Sequence, residues 1–76
     1  MKAEKIKNRI SEICSHFTFI YQGKDCGVDP FSHNHFDMWF GDTDKTVNNI
    51  DDVMNSPFFD GKSLSEICED IEVIDF

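Results

Sequence analysis

The sequence predicts a small α+β domain: an N-terminal helix, an antiparallel β-hairpin with room for a third strand, and two short C-terminal helices packed on one face. Three observations predict it. Ala3, Ile6, Ile10, Ile13 and Cys14 recur at helical spacing among Lys, Arg, Glu and Asn. Phe36-Asp37-Met38-Trp39-Phe40 alternates. On a strand this sends Phe36, Met38 and Phe40 to one side and Asp37 and Trp39 to the other. Ser63-Leu64-Ser65-Glu66 matches the capping box S/T-x-x-E that opens helices.

The 76 residues make a single domain, 1–76. A chain of this size buries only about 60% of its unfolded surface, so its core is marginal. Eight Phe, one Tyr and one Trp offset that. Each buried ring removes roughly 150–250 Å² from water.

In chain order, residues 3–14 form the first helix, ended by Ser15 and His16. Phe17 to Gln22 is a strand: Phe17, Phe19 and Tyr21 alternate with Thr18 and Ile20. Residues 23–34 read as a long connection, because two Gly, Pro30, two Asp and Asn34 are turn formers. Val28 and Phe31 are expected to fold this loop back over Ile20 or Trp39 as a lid. Residues 35–41 form the second strand, antiparallel to the first. Gly41-Asp42-Thr43-Asp44 turns the chain, and Thr46-Val47 offers a short third strand. Asn49 caps a helix over 50–55, with Asp51 and Asp52 in its positive first turn; Pro57 stops it. Phe58-Phe59-Asp60-Gly61 is a turn with at least one ring anchored in the core. The last helix runs from Leu64 to about Glu72, and Val73-Ile74-Asp75-Phe76 is extended.

Charge excludes one class of partner. The formal net charge is −8. Residues 1–14 hold four bases against two acids, whereas residues 15–76 hold three bases against thirteen acids. A body this acidic repels phosphate backbones, so nucleic acid is not the expected partner. An acidic surface that meets a basic partner is a sharper reading of the same excess. The N-terminus lacks the apolar core of a signal peptide. No run approaches the about eighteen apolar residues of a membrane span. Three cysteines, Cys14, Cys26 and Cys68, are an odd number. The expectation is a cytoplasmic protein with free thiols, Cys14 and Cys68 lying in the core.

Motifs with chemistry fail on their context. Asp42-Thr43-Asp44-Lys45-Thr46 resembles the nucleophile motif of the haloacid-dehalogenase phosphatases. The length of this chain and the preceding Gly41 leave no doubly wound sheet to carry it. As a calcium loop the run has Val47 where glycine is needed and Val53 where a bidentate Glu is needed. Gly61-Lys62-Ser63 lacks the earlier glycine of a P-loop. Cys26, His33 and His35 have ligand chemistry, but not at the spacing of common zinc folds.

No catalytic constellation and no cofactor are therefore expected. The expected function is non-enzymatic: binding or regulation of another protein through the 23–34 segment, with Asp29, Phe31, His33 and His35 as candidate contacts. Open strand edges also allow a weak homodimer beside the monomer. The alternative is a metal-binding or thiol redox-sensing module using Cys26, His33 and His35.

Overall fold

Most of the expected 23–34 loop, Lys24–Ser32, forms a strand, and this reorganises the sheet. The computed structural model describes residues 2–13 and 16–75. In order, the elements are α1 (Ala3–Ser11), β1 (Phe17–Tyr21), β2 (Lys24–Ser32), β3 (His35–Phe40), β4 (Thr43–Val47), α2 (Ile50–Asn55), α3 (Leu64–Ile67) and β5 (Glu72–Asp75). The class is α+β, as the sequence predicts, but the sheet has five strands in the order β4-β3-β2-β1-β5. All neighbours are antiparallel. The strands expected to pair with each other, β1 and β3, are separated by β2 and both pair with it.

Turn chemistry explains β2. Gln22 and Gly23 both have positive φ, 54° and 73°, and Tyr21 pairs with Lys24 across them. That is a two-residue I′ turn, whose twist matches that of paired strands. Gly23 adopts this conformation at no steric cost, and Gln22 is the strained member. The next turn, at His33 and Asn34, joins Ser32 to His35. Ser32 Oγ bonds Asn34 Oδ1 at 2.8 Å there. Pro30 lies beyond Val28, the last β2 residue that pairs with β1, and beside a bulge. Among the described residues β2 has only β3 as a neighbour there, so a missing N–H is tolerated. The turn after β3 is Gly41 and Asp42 alone, and Thr43 and Asp44 already belong to β4.

One face of the sheet carries the core. Phe17 and Phe19 of β1, Val28 of β2, Phe36 and Met38 of β3 and Val47 of β4 join Ile6 and Ile10 of α1, Val53 and Met54 of α2, and Leu64 and Ile67 of α3 in a single buried cluster. Phe36 and Met38 thus join the helices in the core and Phe40 packs at its edge beside Phe59, all on the face their alternation predicts. Phe59 is the anchor of its turn, at 0% exposure. Its ring lies 5.5 Å from Phe19, 6.0 Å from Phe40 and 5.2 Å from Phe58. A fully buried Phe side chain contributes about 1.5–3 kcal/mol of transfer free energy, which is large for so short a chain.

All three helices start where expected; α2 also ends where expected, at Asn55, whereas α1 and α3 end early. The Asn49 side chain accepts from the Asp52 N–H at 2.7 Å. Ser63 and Glu66 form the full capping box, at 2.9 and 3.3 Å. The first helix ends at Ser11, and Ile13 has a positive φ of 54° that closes it. Cys14 and Ser15, read as its last core position and its end, lie outside the described residues, as does Phe76. The last helix stops at Ile67 rather than near Glu72. Glu69 and Asp70 oppose the helix dipole, and the β-branched run that follows pairs with β1 instead.

Candidate functional site

Among the described residues, no helix lies on the second face of the sheet. Register identifies its residues, because cross-strand partners share a face. Thr18 pairs with Gly27, Gly27 with Trp39, and Trp39 with Asp44. On one side of this row, Asp29 pairs with Asp37 and Asp37 with Thr46. On the other, Glu72 pairs with Ile20 and Ile20 with Asp25. Neither Ile20 nor Trp39 belongs to the core cluster or packs against it. The expected lid over Trp39 does not form, because the segment meant to supply it is β2 itself. Val28 faces the helices and Phe31 is 60% exposed.

Trp39 is held by a glycine. A Cβ at position 27 would overlap Trp39 Cζ2, and would lie 2.7 Å from the Phe17 carbonyl oxygen. The indole therefore rests on the bare backbone of Gly27 in the middle of the sheet. Its seat needs that residue to lack a side chain. The remainder of the ring makes Trp39 half-buried rather than core.

Around the indole the face is acidic. Asp25, Asp29, Asp37, Asp44 and Glu72 all fall on it by register. Lys24 and Lys45 pair with Tyr21 and Met38 on the other face. The Lys24 ammonium sits 4.8 Å from the centroid of Phe40 there. Asp29 and Asp37 are directly opposite one another, a placement that costs stability for like charges. Asp37 is oriented by two bonds to its Oδ1: Thr46 Oγ1 donates at 2.8 Å and His35 Nε2 lies at 3.3 Å. Phe31 is the extra residue of the β2 bulge, and its ring meets His35 edge-on at 5.2 Å.

The predicted contacts therefore divide. Asp29, Phe31 and His35 converge with Asp37 at one end of this face. His33 sits at the tip of the turn and is exposed. Cys26 is not with them. It pairs with Phe40 whereas His35 pairs with Ser32, a separation of about 17 Å along β3. It also points to the helices and is only 1% exposed. Burial pushes its thiol up from the ordinary value, against a smaller opposing pull from nearby backbone groups. Sγ donates to the Lys24 carbonyl at 3.4 Å. A thiol kept protonated is a poor nucleophile and a poor ligand. Among the described residues, no three of His, Cys, Asp and Glu are grouped to hold a metal ion. No helix among them is long and apolar enough to cross a membrane.

Asp25, Gly27, Asp37, Asp44 and Thr46 are the residues that a loop reading of 23–34 misses. The signal was the alternation of Asp25, Gly27 and Asp29 with Cys26, Val28 and Pro30, hidden under turn-forming residue types. A groove between α1 and α2, lined by Ala3, Lys7, Asp51 and Met54, is bridged by its own Lys7–Asp51 ion pair at 3.0 Å. No family model, curated protein or solved structure matches this chain.

Proposed function

We propose that the chain is a small cytoplasmic protein-binding module without catalytic activity, and that it docks its partner on the uncovered face of the sheet. One observation carries this reading: a half-buried Trp39, seated on Gly27, lies on a face whose register also carries five acidic residues. Tryptophan fixed in place on a surface gives large contact area at little ordering cost, which is what binding hot spots use. Asp29, Phe31 and His35 extend the surface to the β2–β3 turn, where Phe31 offers an exposed ring. The partner is a protein rather than a nucleic acid, because five carboxylates repel a phosphate backbone. Cys26 is a buried free thiol, which suits a reducing compartment. The module acts as a monomer or a weak homodimer through an open strand edge. Asp44 and Lys45 blunt the β4 edge against strand addition by a second copy.

Site-specific photocrosslinking in cells tests this. A crosslinking residue at Thr18 or Thr46, on the open face, is expected to trap one partner. The same residue at Asn8 or Glu69, outside that face, is expected not to trap it. Adducts formed from Asn8 or Glu69 and not from Thr18 or Thr46 would overturn the placement of the docking surface.

A further inference from the structure

We propose that the occupant of this face is an extended, arginine-rich segment of the partner, with one guanidinium laid on the Trp39 indole and its neighbours paired to the surrounding aspartates. The inference rests on the docking reading above and names the chemistry that satisfies it.

Charge complementarity is the first support. The open face holds Asp25, Asp29, Asp37, Asp44 and Glu72 by register, and no Lys or Arg. The seven bases of the chain lie elsewhere: Lys2 and α1 carry four, Lys62 is in the Phe59 turn, and Lys24 and Lys45 are on the helix side of the sheet. No Lys or Arg stands within the face to relieve the repulsion between Asp29 and Asp37, and the basic side chain that reaches this pair is the His35 ring. His35 meets only Oδ1 of Asp37, which leaves Oδ2 for an incoming donor.

Geometry is the second support. Rows of the sheet two residues apart are about 6.6 Å apart, and an extended peptide repeats its side chains at that same spacing. The rows through Asp25, through Trp39 and Asp44, and through Asp29 and Asp37 follow each other at this interval. Alternate arginines of a strand-like segment therefore meet the three rows in turn. Tryptophan is the best aromatic partner for a cation, and arginine the commoner cation. The planar fork of arginine can bond a carboxylate bidentately while its face stacks on a ring, which an ammonium cannot do.

The test is fluorescence anisotropy at low ionic strength with a fluorescein-labelled peptide of four Arg-Gly repeats, beside matched Lys-Gly and Glu-Gly peptides. The Arg-Gly peptide is expected to bind, the Lys-Gly peptide to bind more weakly, and the Glu-Gly peptide not to bind. Trp39→Leu weakens the Arg-Gly complex about two- to fivefold. Asp29→Asn with Asp37→Asn weakens it about three- to tenfold. Glu69→Gln with Asp70→Asn changes the net charge equally at two exposed residues outside the open face, and leaves affinity within about twofold. Circular dichroism confirms that each variant is folded. Equal losses from the two double variants would overturn the proposal, because diffuse charge would then explain the binding. Equal affinity for Lys-Gly would overturn the arginine assignment. Sedimentation showing a dimer that Trp39→Leu dissolves would make a second copy the occupant instead. Absence of Arg-Gly binding, with crosslinks from Thr18 and Thr46 intact, would reject this occupant and leave the docking surface standing. Loss of both would reject the surface itself.

Discussion

Gly27→Ala isolates the contact on which the site is built. The added methyl meets Trp39 Cζ2 inside its van der Waals radius, and the Phe17 carbonyl oxygen at 2.7 Å. Forcing a methyl into such a place costs about 1–3 kcal/mol. Against this, alanine in a strand gains about 0.5–1 kcal/mol over glycine from the smaller loss of backbone freedom. The difference spans about 0–2.5 kcal/mol, and the overlap with Trp39 Cζ2 places the expected destabilisation at about 1–2 kcal/mol. For a domain of this size that lowers Tm by about 4–16 °C. Total stability is roughly 4–11 kcal/mol, so the variant still folds. In a Trp39→Ala background the ring is gone and only the approach to the Phe17 carbonyl remains. The cost of Gly27→Ala should then fall below about 1 kcal/mol, giving a coupling energy of about 1 kcal/mol between the two positions. Urea denaturation of the wild type, both single variants and the double variant measures it. Far-UV circular dichroism is the probe, since Trp39 is the only tryptophan. Equal costs in the two backgrounds would refute the seat of the indole on Gly27.

Four other substitutions test named contacts. Asp29→Asn should raise stability by about 0.2–1 kcal/mol at low salt, with the gain shrinking at high salt; no gain in a denaturation series across ionic strength would contradict the cost assigned to the Asp29–Asp37 pair. Ser63→Ala should lose about 1 kcal/mol at neutral pH, since it removes the cap from the Glu66 N–H. Hydrogen bonds from the Ser63 backbone and hydroxyl hold the Glu66 carboxyl below the ordinary carboxylate range. A depressed folded pKa gives stability that is present above the ordinary value and is lost as pH falls through the folded one. Glu66→Gln keeps the bonding pattern without the charge, so the stability gap to wild type should close on acidification. A gap that stays constant from neutral to strongly acidic pH would count against that linkage. Gln22→Asn places a residue that tolerates positive φ in the first turn, and should raise Tm by a few degrees, roughly 0.5 kcal/mol in stability. A lower Tm would show that the Gln22 bond to Asp60, at 3.1 Å, matters more than turn strain.

What the sequence made legible is what depends on residues within about four positions of each other. The Asn49 cap and the Ser63–Glu66 box needed only their own turns, and both are present. The two faces of β3 followed from its alternation. β2 was obscured because Gly27, Asp29 and Pro30 are turn formers in isolation. Gly27 serves as the floor for Trp39, and Pro30 lies where β1 no longer pairs. The last helix is shorter than its local pattern implies for a long-range reason: Val73 is drawn to Phe19 of β1, some fifty residues earlier in the chain. For the site, Asp29, Phe31 and His35 were visible as candidates. Their grouping with Asp37 and Trp39 required the register of β2 against β3, which no local pattern encodes.

The central claim is that the open sheet face binds, and amide chemical-shift mapping tests it most directly. On titration of the labelled protein with the Arg-Gly peptide, the largest shifts should fall on Asp25, Gly27, Asp29, Asp37 and Asp44 and on the indole N–H of Trp39. The amides of α1 and α2 should barely move. Shifts concentrated on α1, α2 and α3, with the Trp39 indole unmoved, would contradict the account.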